Sequence, residues 1–273
     1  MKHASFQLKN SCVLITGASS GLGAEFARQL APHAATLILV ARRGEALEKL
    51  KKELMLKNAS LVVHVKSLDL SSATAREELA AWLKEQSLPL NFLINNAGLG
   101  DLGDFGTAQW DRLEPILNIN ITALTHLTHL LLPTLRGHVP SALLNVGSIA
   151  GFFPLPYNAV YAASKAYVKI FSEALSMEEK KQGVVVTLLS PGPVPTNFFE
   201  VAARSGEKIV IESRAPACFI TSPNKVVRIA LRALLQNRAS VIPNRLLSAA
   251  ILLLRLIPFS FLWRLKKVEK FKS

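Results

Sequence analysis

Cysteine is nearly absent from this sequence: only Cys12 and Cys218 occur. Neither belongs to a CxxC pair or a Cys/His cluster, so no metal site is suggested. So sparse a thiol content suits a reducing compartment. Acidic residues are also scarce, 19 against 32 lysines and arginines, for a formal net charge of +13. Such a balance raises nucleic acid or an anionic membrane as partners. No DNA- or RNA-binding motif stands out, and the basic residues do not alternate with aromatics in a stacking pattern, so nucleic acid is not expected. The opening residues, MKHASFQLKNSCVLITG, lack the long apolar stretch of a signal peptide and pass from polar residues straight into a strand-like run. The expected location is therefore cytoplasmic. Internal repeats, low-complexity tracts and linkers are missing as well.

Half of the 273 residues are apolar, enough to bury one sizeable core. Short apolar runs recur along the chain: CVLITG, TLILVA, LVVHVKSLDL, FLINNAG, ALLNVGS, VVVTLLSPG and a weaker seventh, SVIPN. They are continuous rather than alternating, as parallel strands covered on both faces require. Between them GLGAEFARQLAP, RGEALEKLKKELMLKN and ATAREELAAWLKEQ read as amphipathic helices. Strand and helix alternate from the first strand onward, which predicts an open, doubly wound α/β sheet of seven parallel strands with helices on both faces. The expected organisation is one domain over residues 1–245 and a basic, apolar tail over 246–273. Residues 193–222 break the alternation. A long irregular segment at the C-terminal edge of such a sheet reads either as a lid over a ligand or as a variable surface stretch.

The first strand runs into TGASSGLG, with glycines at Gly17, Gly21 and Gly23. This GxxxGxG spacing differs from the GxGxxG fingerprint, but the physics is shared. Glycine allows a tight turn and close backbone approach, and the following helix N-terminus offers free N–H groups to a phosphate. The second strand ends at Ala41, followed by Arg42 and Arg43. A carboxylate here would hold a ribose 2′-hydroxyl and repel a 2′-phosphate, whereas a guanidinium grips the phosphate with paired hydrogen bonds. NADP(H) is therefore expected over NAD(H). Asp69, after the third strand, lies where an adenine would reach. In YAASK, Tyr161 and Lys165 share one helix face, four residues apart with only small residues between them. An ammonium beside a phenol favours the phenolate, so the pair has the makings of an acid–base device.

TGASSGLG (Thr16–Gly23), NNAG (Asn95–Gly98), GSIAG (Gly147–Gly151), YAASK (Tyr161–Lys165) and PGPVPT (Pro191–Thr196) occur in this order. With them the chain resembles the short-chain dehydrogenases/reductases over roughly residues 8–200. The resemblance implies a Rossmann-like fold and a catalytic set of Asn120, Ser148, Tyr161 and Lys165. Tyr161 would be general acid in reduction and base in oxidation. Lys165 would lower its pKa and hold the nicotinamide ribose. Ser148 would hydrogen-bond the substrate carbonyl oxygen, and Asn120 would anchor a water in a proton relay. The cofactor site it implies comprises Gly17, Ser19, Ser20, Gly21, Leu22 and Gly23 at the phosphates, and Arg42, Arg43, Asp69 and Leu70 at the adenosine end. Asn96, Ala97 and Gly98 would border the ribose, and Pro191, Gly192, Val194 and Thr196 the nicotinamide, beside Tyr161 and Lys165.

The activity so implied is NADPH-dependent reduction of a carbonyl, or oxidation of the matching alcohol. The alternative is a non-catalytic NADP(H)-binding sensor or scaffold on the same fold. FFPLP (Phe152–Pro156), LGDLGDF (Leu99–Phe105) and Phe198, Phe199 and Phe219 would furnish an apolar substrate pocket. Family members commonly associate, so a homo-oligomer is expected. From Arg245 to Ser273 the tail carries seven basic residues against one acidic, around an apolar stretch interrupted by Arg255 and Pro258. It reads as an interfacial helix on anionic lipid, as a subunit contact, or as a membrane span, with peripheral membrane association as one expectation.

Overall fold

The structure is a computed structural model that describes residues 6–204 and 216–254. Strands β1 (Cys12–Thr16), β2 (Thr36–Ala41), β3 (Val62–Ser67), β4 (Phe92–Asn95), β5 (Ser141–Val146), β6 (Val184–Leu189) and β7 (Ser240–Val241) form one sheet. Their order is β3-β2-β1-β4-β5-β6-β7 and every pairing is parallel. The expected Rossmann-like doubly wound architecture is therefore the one observed. The strand order reverses between β1 and β4, the place where such sheets open a crevice for a ligand at the C-terminal strand ends.

The continuous apolar runs are explained by what covers them. Side chains alternate across a strand. Val13 and Ile15 of β1 pack into a core with Phe26 and Leu30 of α1 (Gly21–Leu30), Leu47 and Leu54 of α2 (Gly44–Lys57) and Val227 and Leu234 of α8 (Pro223–Leu235). Cys12 and Leu14 face the other way. They meet Leu79 and Leu83 of α3 (Ala73–Glu85), Leu127 and Leu131 of α5 (Leu124–Gly137) and Leu175 of α6 (Ala159–Glu179). Leu14 and Ile15 are fully buried, and each such side chain contributes about 1.5–3 kcal/mol of transfer free energy. Burial also pushes the Cys12 thiol up to about 12, leaving it an inert core residue.

Several boundaries depart from the sequence reading. β3 stops at Ser67, because Leu68, Asp69 and Leu70 leave the sheet to border the crevice. β7 has only two residues. Between α4 (Trp110–Leu117) and α5 the chain makes a π-helical turn, Asn118–Ala123. The irregular region after β6 holds a short helix, α7 (Phe198–Ala202), and a 3-10 turn, Ala217–Phe219; residues 205–215 lie outside the described residues. Of the tail, α9 (Arg245–Leu254) buries Leu247 and Ile251 and exposes Leu246, Leu252 and Leu253, while 255–273 lie outside the described residues. No described helix is long and apolar enough to cross a membrane.

Candidate active site

A cavity of about 750 Å³ lies along the C-terminal ends of β1, β2, β4, β5 and β6. At one end sits the turn after β1, where Gly17, Ser19, Ser20, Gly21 and Leu22 line the wall. Gly23 does not line it. A Cβ on Gly23 would sit 2.3 Å from the Gly17 carbonyl oxygen and 2.6 Å from Asn96 Nδ2, so this glycine lets α1 dock against the turn rather than touching a ligand.

The two arginines after β2 also reach this end. Arg43 folds back across the turn, donating from Nη2 to Ser19 Oγ (3.1 Å) and Ser20 Oγ (2.8 Å). Asp69 accepts from the Ser71 backbone N–H at 2.9 Å. That bond, aided by the Arg42 charge, holds its carboxyl below the usual value. Leu70 lies beside it on the wall.

NNAG is stapled to β1 by a residue the sequence reading did not single out. Thr16 Oγ1 accepts from the backbone N–H groups of Asn96 (2.9 Å) and Ala97 (3.0 Å), and Asn96 Nδ2 donates to the Thr16 carbonyl at 2.9 Å. Behind it, Asn95 Nδ2 donates to Thr128 Oγ1 and Asn145 Oδ1, and Asn145 Nδ2 donates to Ser172 Oγ. Thus Asn96, Ala97 and Gly98 face the cavity while Asn95 is committed to a buried polar network. β4 ends at Asn95, and the three residues after it turn along the cavity wall, while the four scattered polar residues of the network carry no sequence signal of their meeting.

The middle of the cavity brings together Ser148, Tyr161 and Lys165. Ser148 leaves β5 and caps the 3-10 turn Ile149–Phe152, its Oγ accepting from the Ala150 N–H at 3.1 Å. Lys165 is buried, donates from Nζ to the Val146 carbonyl at 3.0 Å and lies 5.9 Å from the Tyr161 ring centroid. Burial lowers its pKa to about 8. Burial also raises the Tyr161 phenol to about 12, against a hydrogen bond with Ser148 that acts to lower it. Desolvation of the phenolate thus prevails over the Ser148 hydrogen bond, and Tyr161 is held protonated.

Asn120 sits behind the cavity wall. It is buried within the π-helical turn and does not line the cavity. Its Oδ1 accepts from Leu99 N–H (2.8 Å), and its Nδ2 donates to the Leu99 carbonyl and to Ser164 Oγ (2.9 Å each). The amide clamps the NNAG loop to α6 through both Nδ2 hydrogens and one lone pair of Oδ1.

Pro191, Gly192, Val194 and Thr196 border the cavity after β6, and Ile149 N–H donates to the Pro191 carbonyl at 3.0 Å to fix that strand end. Beyond Tyr161 the walls turn apolar, with Leu99, Phe153, Leu155, Phe198, Phe199 and Val201. Phe152 faces Lys169 instead, and Phe219 is not among the lining residues. Among the described lining residues the only cationic side chains are Arg42, Arg43 and Lys165. No group of His, Cys, Asp or Glu that could hold a metal occurs among the described residues.

Residues 11–206 match the family model described as short chain dehydrogenase. Sulfoacetaldehyde reductase of Chromohalobacter salexigens is 41% identical over 190 residues, covering 68% of this chain and 74% of that protein. Very-long-chain 3-oxoacyl-CoA reductase of Neurospora crassa is 34% identical over 240 residues, 86% of this chain and 68% of that one. Among solved structures, a short-chain dehydrogenase from Sphingobium yanoikuyae in complex with NADPH superposes with a TM-score of 0.79 at 28% identity, over 95% of this chain and 98% of the other.

Proposed function

The chain belongs to the short-chain dehydrogenase family, an oxidoreductase acting on CH–OH and C=O groups, and from that premise we propose that it interconverts an apolar ketone and its secondary alcohol with NADP(H). The observation that carries this reading is the meeting of Ser148, Tyr161 and Lys165 between an arginine-bearing phosphate end and an apolar end of one cavity. The relatives' names are those of reductases, which favours catalysis over the sensor alternative.

Arg43 braced on Ser19 and Ser20, with Arg42 beside it and no carboxylate at the end of β2, suits a ribose 2′-phosphate. When bound, the nicotinamide supplies or accepts the hydride. The chain's own residues manage the oxygen. Ser148 Oγ donates to the carbonyl oxygen as negative charge grows there, a contribution of roughly 10²–10³-fold for a preplaced donor. Tyr161 Oη hands over the proton, worth about 10²–10⁴-fold. The Lys165 ammonium favours the tyrosinate that is left behind. Asn120 in this reading is a positioning residue that fixes Leu99 and, through Ser164, the first turn of α6. Val194 and Thr196 orient the nicotinamide face.

The absence of a cation among the described residues at the substrate end supports an apolar substrate over an anionic one. Sulfoacetaldehyde, named for one relative, would meet no counter-charge among the described residues at that end. The test is a substrate panel with NADPH: ketones of rising chain length against aldehydes bearing a sulfonate or carboxylate. Higher kcat/KM for the apolar series upholds the proposal, and preference for the anionic series overturns it.

A further inference from the structure

One charged cluster lies next to this site without lining it. Asp101, in the loop after β4, is 5% exposed. Arg204, two residues past α7, grips it through a fork, Nε to Oδ1 at 3.1 Å and Nη2 to Oδ2 at 2.6 Å. The same guanidinium donates from Nη1 to the Asp104 carbonyl (2.6 Å) and to Thr107 Oγ1 (3.2 Å). Arg112, on α4, adds Nε to Asp101 Oδ1 at 3.3 Å and Nη2 to the Ala203 carbonyl at 3.3 Å. Burial pushes the Asp101 carboxyl up, but the bonds and charges of Arg204 and Arg112 outweigh burial and hold it below its ordinary value.

Backbone bonds run through the same place. Leu102 N–H donates to the Ala202 carbonyl at 3.0 Å, and Gly103 N–H to the Tyr157 carbonyl at 2.9 Å. The loop after β4 is thereby tied both to α7 and to the approach to α6. At its other end α7 rests on the same loop. A Cβ on Gly100 would lie 2.9 Å from Phe198 Cζ, so only glycine lets that ring settle on the backbone there. The Phe198 ring in turn lies 5.5 Å from that of Tyr161.

We propose that Asp101 is a positioning residue for the substrate site: through Arg204 and Arg112 it fastens α7 to the loop after β4 and sets Phe198 over Tyr161. A bidentate guanidinium–carboxylate pair fixes direction as well as distance, and side chains held by such a pair orient a pocket more sharply than packing alone. Neutralising Asp101 removes the carboxylate that both arginines share, so α7 keeps its backbone bond to Leu102 and the Arg204 contacts to Asp104 and Thr107, and its hold on the loop loosens. The proposal rests on the reading of Tyr161 as the proton donor to an apolar substrate.

The test is Asp101→Asn, which keeps side-chain size, read by amide hydrogen exchange and by kinetics. Exchange is expected to quicken in segments 97–104 and 197–204 and to stay unchanged in 12–41. NADPH affinity should hold, while KM for an apolar ketone rises about tenfold with kcat nearly constant, the mark of lost uniform binding. Arg204→Met should behave alike, and Arg204→Lys should restore part of the loss. Unchanged exchange and KM in Asp101→Asn would overturn the proposal, as would a fall in thermal midpoint with no change in KM. Were the wild-type protein to turn over no carbonyl compound, the reaction proposed above would fall. Faster exchange in those two segments alone would still uphold the clasp, and unchanged exchange would still overturn it.

Discussion

Arg43 donates from Nη2 to Ser20 Oγ at 2.8 Å, so the guanidinium that leaves β2 is docked on the turn that leaves β1. A 2′-phosphate beside this pair would meet a side chain already held in place, so part of the ordering penalty would be met before binding. Charged hydrogen bonds of this kind contribute about 1.5–3 kcal/mol. Arg43→Ala is therefore expected to weaken NADPH binding by roughly 10- to 100-fold and to leave NADH nearly unchanged. Fluorescence titration with both dinucleotides checks this; equal losses for the two would mean that Arg43 does not read the 2′ position.

Lys165 supplies a pH limb. With its pKa near 8, the ammonium is present below that value and lost above it, whereas Tyr161, near 12, keeps its proton throughout. The kcat/KM for reduction should fall as pH rises past about 8. Lys165→Arg should move that limb upward, because arginine stays charged. The same depressed value lowers proton binding by the folded state relative to the unfolded chain between about 8 and the ordinary 10.5. Stability from this residue therefore grows with pH through that window and is lost as pH falls through 8. Rate–pH profiles of both proteins decide the first point.

Asn120→Ala strips the Leu99 N–H and carbonyl of their partner inside the protein. An unsatisfied buried group costs about 1–3 kcal/mol, so the urea midpoint should fall with an unchanged slope, and turnover should fall with it because the NNAG loop loosens. A stability equal to wild type would show that the clamp is redundant.

The glycine turn, NNAG and YAASK are legible in the sequence because each is local: a handful of neighbouring residues makes the turn or the helix face. The strands are legible for a similar reason, since burial on both faces leaves continuous apolar runs such as CVLIT. What is hidden depends on partners distant in sequence. Thr16 organises residues some 80 positions away. Asp101 and Arg204 stand 103 apart, and neither has a neighbour that marks it. The pKa order of Tyr161 and Lys165 also escapes the sequence, because spacing reports their proximity while desolvation, set by the whole fold, decides the direction. Phe152 and Phe153 illustrate the finest scale: adjacent and chemically identical, they part company as the 3-10 turn ends, and only Phe153 lines the cavity.

The most direct measurement of the central claim is NADPH oxidation with a series of ketones by the wild-type protein and by Tyr161→Phe. Turnover by the wild type is expected, with a loss of at least about 10²-fold in kcat for the variant and NADPH binding retained in both. Turnover that survives in Tyr161→Phe would contradict that claim, since the proton would then come from elsewhere.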